Sequence, residues 1–460
     1  MSILIQNGTL LCPDGPIRAD LRVAGDRIAE IGVSLPVRDS RIIDAAGKLV
    51  FPGFIDTHTH FEMNKGLPNE TADDWHSGTL AALAGGTTTV LDFAEPERGC
   101  SLSSALEAWH RRADGRSSCH YSFHMTIKDW DPRIRAELRD MTAAGVTSYK
   151  VYFAYDNLRV SDAVAFELIR AVGAEGGIVG CHCENGDLVT EGIRAQKAAG
   201  CYSPAAHPLS RPAAAEAEAI TRWLSIAELA GYPVNVVHLS TARGLEAIRA
   251  ARARGQRLYV ETCPQYLLLD EGRYHLSGFE SAKYVLSPPL RTPEDQAALW
   301  EALASGEIDT VGTDHCSFDF GGAKQLGRDD FSKIPNGIPG VEHRPVLLYT
   351  AGVAAGRITA YQLMKLLSEQ PARLFGMYPA KGALSVGSDA DVVIYDPNST
   401  DRITSAGQHQ NVDYTPYEGM ETAGRIHMVL LSGEVAVDCG SVVLPNRGRF
   451  VRRGPSGFWR

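Results

Sequence analysis

The sequence predicts an α/β protein: a (β/α)8 TIM-type barrel carrying a small β-sandwich built from both chain ends. Three observations predict it. The middle of the chain, residues 51–375, alternates short apolar strands with amphipathic helical stretches, the pattern of a parallel sheet. Eight strand candidates fall there, and eight units in ~320 residues suit a closed barrel. The two ends read instead as short strands separated by tight turns, with no helical period. An open doubly wound sheet is the alternative for the middle.

At the N-terminal end the strands are Ile3–Ile5, Asp20–Val23, Arg27–Ile31 and Arg41–Asp44. Asn7-Gly8, Pro13-Asp14-Gly15 and Gly25-Asp26 read as the turns between them. Asp391–Tyr395 and Met428–Leu431 are strands of the same kind near the other end, with Val386–Asp389 and Ser432-Gly433 as turns. Neither piece alone buries a core, so residues 1–50 and 376–440 are expected to form one small domain. The barrel strands are Phe54–His58, Thr88–Phe93, Tyr121–Thr126, Thr147–Tyr152, Ile178–His182, Val234–His238, Leu258–Glu261 and Thr310–Asp314. Helical patterns between them include Asp73–Ala84, Leu102–Ala113, Pro132–Ala143, Ser161–Glu175, Ala213–Ala230 and Pro293–Ala304. Residues 441–460 form an arm. Its last stretch, Arg447–Arg460, holds five arginines with Phe450, Phe458 and Trp459, and is either solvated or laid on a neighbouring subunit.

Bulk properties exclude several classes. A chain of 460 residues exceeds one ordinary core, in keeping with a large and a small domain. A net charge of -10 argues against a nucleic-acid groove or an anionic membrane surface as the main partner. No apolar run approaches the ~20 residues of a membrane-spanning helix. The N-terminus lacks the basic and apolar regions of a signal peptide. Nine cysteines without a framework suggest reduced thiols in a cytoplasmic protein.

Chemistry enters at the strand ends. His58 and His60 sit at i and i+2, so a strand aims both imidazoles to one side. His182 ends strand five, His238 strand six and Asp314 strand eight, while Lys150 lies in strand four. In a barrel these ends converge on one mouth. A nitrogen-and-carboxylate set suits zinc, and imidazole also suits iron, nickel or copper. Cys181, Cys183 and Cys316 read as packing residues. An ammonium cannot ligate a cation. Lys150 is therefore either a surface or salt-bridge lysine, or one converted by carbon dioxide into an anionic carbamate able to bridge two cations ~3.5–4 Å apart.

These residues resemble the binuclear amidohydrolase superfamily, and more closely its cyclic-amide branch, the dihydropyrimidinases and D-hydantoinases, including phenylhydantoinases. The likeness runs through Tyr149–Tyr155, His182–Asp187, His207–Pro212, His238–Thr241, Glu261–Tyr266, Ser287–Arg291, Thr313–Cys316, Ile334–Gly340 and Val386–Asp391, and so covers essentially the whole chain. It implies that His58, His60 and Asp314 hold one divalent ion, zinc in this reading. His182 and His238 then hold the second, and carbamylated Lys150 bridges. It also implies that Tyr155, Ser287 and Asn336 contact substrate, that two metals and carbon dioxide are the cofactors, and that the protein is a homotetramer.

The activity implied is hydrolysis of the ring amide of cyclic ureides, 5-substituted hydantoins or dihydropyrimidines, to N-carbamoyl amino acids. Tyr155 would serve the oxyanion, and Asp314 would be general base and then acid. Allantoinase or dihydroorotase shares the implied metal set, but Ala154-Tyr155 and Ser287-Pro288-Pro289 favour the hydantoinase branch. A non-catalytic dihydropyrimidinase-related scaffold would lose ligands, and none is missing. A mononuclear deaminase would not need Lys150. One departure concerns the loop Phe61–Glu70, which is more polar than in those relatives. Phe61, Met63 and Leu67 are expected to wall the pocket for the ring substituent, with Tyr152 and Phe153 near the lysine, favouring aryl or alkyl hydantoins. Glu62 and Lys65, turned inward, would select a polar substituent instead.

Overall fold

The computed structural model describes residues 2–457. The N-terminal strands are β1 (Ser2–Cys12), β2 (Gly15–Ala24), β3 (Arg27–Gly32), β4 (Ser40–Asp44) and β5 (Leu49–Pro52). The barrel strands are β6 (Phe54–Thr59), β7 (Thr87–Ala94), β8 (His120–Thr126), β9 (Ser148–Tyr152), β10 (Ile178–His182), β11 (Val234–Val236), β12 (Leu258–Thr262) and β13 (Thr310–Val311). The C-terminal strands are β14 (Val392–Arg402), β15 (Glu421–Leu431), β16 (Glu434–Asp438) and β17 (Ser441–Val442).

Both chain ends share one sheet, in the order β17-β16-β15-β14-β5-β1-β2-β3, with β4 also on β1. The join is antiparallel pairing of β14 with β5, from Val392 opposite Pro52 to Tyr395 opposite Leu49. The edge expected for the small domain at residue 50 thus falls inside a strand. One face of the sheet buries its own apolar cluster, among others Ile5, Leu10, Leu21, Val50, Val392 and Leu430. Asn7-Gly8, expected as a turn, lies inside β1. It is a bulge there, with Asn7 at φ 64°. Asn tolerates that left-handed conformation, and a bulge bends its strand. The bend lets β1 pair with β4 through Gln6 and with β5 from Thr9 onward.

The barrel strands run parallel in sequence order from β6 to β13, and their residues are buried on both faces. That explains their continuous apolar character. The seam between β6 and β13 is closed by a backbone bridge from Thr59 to His315, with the His60 N–H on the His315 carbonyl at 2.8 Å, and by side chains. Buried Arg344 donates from Nη1 to the carbonyls of Ile55 and Val311, both at 2.8 Å. Asp56 accepts from the Thr313 N–H at 3.0 Å and the Thr313 hydroxyl at 2.7 Å.

The helices begin where the sequence caps them. Ser101, Asp131 and Ser161 accept N–H groups of the first turns of Leu102–Ala113, Pro132–Ala144 and Asp162–Ala174. Thr292 and Asp295 form a capping box before Pro293–Ala304. Two helices the sequence reading did not name, Gly186–Ala198 and Ala242–Ala253, follow β10 and β11.

Two strands stop short of expectation. Regular pairing ends at Val236 and Val311, not at His238 and Asp314. Both of those residues have positive φ, 41° and 53°. The backbone leaves the ladder at each to turn a functional side chain into the mouth.

The arm begins on the end sheet, where β17 pairs with β16, and then runs onto its own barrel. At the start of β8 the Tyr121 N–H donates to the Arg449 carbonyl at 3.1 Å and its carbonyl accepts the Val451 N–H at 2.7 Å, a parallel bridge centred on Phe450. Phe450 stacks on Phe123 at 5.5 Å, and Arg453 donates to the hydroxyls of Ser122 and Ser148. Phe458 and Trp459, two of the three aromatics noted in the arm, lie outside the described residues.

Candidate active site

The mouth of the barrel gathers the ionisable strand ends. His58 closes β6 and is fully buried. Its Nδ1 lies 2.7 Å from Glu261 Oε1, while Glu261 Oε2 accepts from the Thr57 hydroxyl at 2.5 Å. Burial holds His58 well below the ordinary histidine value, with the Lys150 charge adding to the effect. A neutral His58 donating from Nδ1 to Glu261 turns its Nε2 lone pair to the mouth. There Nε2 stands 3.2 Å from Asp314 Oδ1, and His60 Nε2 lies at the same distance from that oxygen. One ligand atom from each of the three lies within 4.8 Å of the others.

The second group is built the same way. His182, at the end of β10, places Nε2 2.8 Å from Glu184 Oε2, which also takes the Arg211 guanidinium at 2.6 Å. Arg211 and His182 hold Glu184 down to about 2 against the burial that would raise it. With Nε2–H committed to that carboxylate, His182 Nδ1 presents its lone pair. It faces His238 Nε2 at 3.0 Å. Burial lowers both histidines, keeping them in the neutral form that binds metals. Glu261 orients His58 from behind and Glu184 orients His182, while Asp314 raises His60 against its burial; the two converging groups fit divalent cations.

Lys150 lies between the groups on β9 and is 1% exposed. That rules out a surface lysine. It is not a salt-bridge lysine either, because among the described residues no carboxylate lies within 4.0 Å of Nζ. The rings of Tyr152 and Phe93 lie 5.1 Å and 5.2 Å from its Nζ. Burial pulls its pKa down.

The six candidate ligands line a cavity of about 290 Å³ together with Tyr155, Ser287 and Asn336. Asn336 Nδ2 donates to the Tyr155 hydroxyl at 3.3 Å. Tyr155 has φ 67°, a costly conformation for a bulky residue. Burial raises its pKa, so the phenol keeps its proton at neutral pH. Ser287 Oγ is buried beside Tyr155 and, among the described residues, makes no hydrogen bond of good geometry. A hydroxyl left so costs free energy unless something else bonds it.

The loop after β6 departs from expectation. Phe61 does not face the cavity; it is buried against Trp75 and His315, each ring 5.5 Å away. Leu67 is exposed, and Phe153 packs on Trp223 at 5.8 Å. Of the three residues expected to form the wall, Met63 alone lines the cavity, beside Asn64 and Asn69, while Tyr152 lines it as expected. Glu62 is buried in an ion network with Arg116 at 2.9 Å and Lys65 at 2.7 Å, and neither charge lines the cavity. Cys181 and Cys183 pack in the core, whereas Cys316 lines the cavity.

Glu261, Glu184 and Arg211 received no role from the sequence. The available signal was an acidic residue ending an apolar strand or following a ligand by two, which by itself names no partner.

Known proteins resemble this chain along its whole length. The model of the amidohydrolase family matches residues 49–436. A D-hydantoinase of Geobacillus stearothermophilus is 42% identical over 460 residues, 99% of this chain and 98% of that protein. The crystal structure of a dihydropyrimidinase from Brevibacillus agri NCHU1002 superposes with a TM-score of 0.97 at 40% identity, covering 99% of each chain. An L-hydantoinase (dihydropyrimidinase) from Arthrobacter aurescens is more distant, with a TM-score of 0.90 at 31% identity, covering 98% of this chain and 99% of that one.

Proposed function

This chain belongs to the amidohydrolase family, and from that premise we propose that it opens cyclic ureides by hydrolysis of the ring amide. The substrates are 5-substituted hydantoins foremost, with dihydropyrimidines beside them, and the products are N-carbamoyl amino acids. One observation carries the reading. The cavity that gathers four histidines, Lys150 and Asp314 also presents the Tyr155 hydroxyl, the Ser287 hydroxyl and the Asn336 amide. The candidate metal ligands and a candidate polar clamp for a –CO–NH– edge line the same cavity.

His58, His60 and Asp314 would hold one divalent ion, proposed as zinc, and His182 and His238 a second. Lys150, buried and among the described residues without a carboxylate within 4.0 Å, would react as a neutral amine with carbon dioxide, and its carbamate would be the remaining ligand of the pair. When bound, such a pair supplies Lewis acidity and a water nucleophile usable at neutral pH. The protein's own groups do the rest. Ser287 and Asn336 hold the ureide edge. Tyr155 donates its phenolic hydrogen to the carbonyl oxygen as charge grows there. Asp314 stays ionised, held down to about 2 by His58 and His60 against burial. It therefore can take a proton from the attacking water and return it to the departing ring nitrogen.

No helix among the described residues is long and apolar enough to cross a membrane. All nine cysteines are free, which suits the reducing cytoplasm, the location we propose, with the homotetramer as working form. Two measurements test the reading: turnover of hydantoin, both enantiomers of phenylhydantoin, dihydrouracil, allantoin and dihydroorotate, and elemental analysis without chelator. Hydantoin or dihydrouracil turnover with two metals per chain is expected. Preference for allantoin or dihydroorotate, or full activity with one metal or none, would refute it.

A further inference from the structure

Lys324 lies outside the catalytic cavity and is completely buried. Its Nζ donates to three backbone carbonyls: Val285 at 2.8 Å, Pro335 at 2.7 Å and Gly337 at 2.7 Å. All three ammonium hydrogens are thereby used. Among the described residues no carboxylate pairs with it; the Phe318 ring at 5.7 Å is its other neighbour. Burial pulls its pKa down to about 7, but three carbonyl oxygens within 2.8 Å of Nζ need three hydrogens, which only the protonated ammonium carries.

The three carbonyls are not arbitrary. Pro335 and Gly337 flank Asn336, and Val285 stands two residues before Ser287. These are the two segments that supply the ureide contacts. A direct bond from the Gly337 N–H to the Val285 carbonyl at 3.0 Å already ties them. Yet three carbonyl oxygens aimed at one point repel one another unless a cation sits between them. A buried charge without a counter-ion is expensive, and an apolar side chain of the same length would cost less if packing were the only need. His207 holds the neighbouring Leu286 carbonyl at 2.7 Å, but it reaches one segment. Lys324 bonds both at once.

We propose that Lys324 is a positioning residue for substrate binding, an internal cation that clamps the Ser287 and Asn336 segments in register so that both meet the same ureide edge. The inference rests on the reading of that cavity as a cyclic-ureide site.

The test is steady-state kinetics of the metal-loaded enzyme on hydantoin and dihydrouracil, whose unsubstituted rings isolate the ureide edge. Wild type, Lys324→Met, Ser287→Ala, Asn336→Ala and the double variants are compared. Lys324→Met should raise KM about tenfold, the scale of misdirected hydrogen bonds, with a smaller change in kcat and unchanged metal content. In the double variants the KM effects should fall well short of additive, because Lys324 acts through the other two. A merely structural lysine would give additive effects. If Lys324→Met does not fold, Lys324→Gln, which keeps two N–H donors, takes its place in the cycle. Unchanged KM, additive effects, or failure of both variants to fold would overturn the proposal. A wild type that turns over neither ring would instead overturn the cyclic-ureide reading, a separate outcome.

Discussion

The mouth of the barrel and its junction with the small sheet both bury charge, and they treat it in opposite ways. At the junction Lys381 Nζ stands 2.5 Å from Asp391 Oδ2 and 3.0 Å from Asp389 Oδ2. Asp391 also accepts the Ser432 N–H at 2.8 Å and lies 3.5 Å from His120 Nε2. These charges are answered within the protein. At the mouth, among the described residues, no carboxylate lies within 4.0 Å of Lys150 Nζ, and Ser287 Oγ and His238 Nδ1 have no hydrogen-bond partner. Tyr155, His238 and Asp314 adopt positive φ there. The difference teaches how to read buried polarity. Where each group is satisfied, the cluster holds two cores together; where groups converge unsatisfied, the site waits for a ligand.

The comparison is broken most strongly at the mouth. Asp314→Asn keeps size and one oxygen but cannot take a proton, and its turnover should fall by ~10²–10⁴, with the thermal midpoint close to wild type. Lys150→Ala should lose most activity and metal, part of each returning with added short-chain carboxylic acids. Near-normal turnover of Asp314→Asn with two metals bound removes it as the base.

Next comes the junction. Asp391→Ala leaves Lys381 half-paired and should cost about 3–5 kcal/mol of stability, with kcat of the folded fraction unchanged; denaturant unfolding and active-site titration measure the two. The pH dependence follows from the sign of the shift. Lys381 and His120 hold the Asp391 carboxyl well below its ordinary range, against burial. Its contribution is therefore complete above the unfolded pKa of ~3.9 and is lost as pH falls below it. Wild type should lose stability faster than Asp391→Ala on acidification below about pH 4. Parallel acid profiles would detach this carboxylate from stability.

The smallest effect sharpens the comparison inside the mouth itself. Met63→Ala should lower the ratio of kcat/KM for phenylhydantoin to that for dihydrouracil by up to about tenfold, the worth of one apolar contact. Leu67→Ala should leave the ratio unchanged. Phe61→Ala should instead destabilise the fold by ~3–5 kcal/mol, the cost of an aromatic core cavity. A ratio that moves with Leu67 and not with Met63 would mean that the loop closes differently over substrate.

By itself the sequence determined the barrel, the shared end sheet and the residue types at the strand ends. Those rest on local rules: alternation brings His58 and His60 to one side, apolar runs mark strands buried on both faces, and Ser101, Asp131 and Ser161 announce helix starts within a few residues. Tertiary structure decided what depends on partners far along the chain. A bulge at Asn7 replaced a turn because β1 had two parallel partners to reach. The direction of the Phe61–Glu70 loop was set by Arg116 and Trp75, which capture Glu62 and Phe61. Lys150 differs from Lys381 in the company each keeps: among the described residues no carboxylate came within 4.0 Å of the first, and two came within 3.0 Å of the second. Periodicity states which way a side chain faces, but the free energy of a buried charge is settled by what the rest of the fold brings within reach.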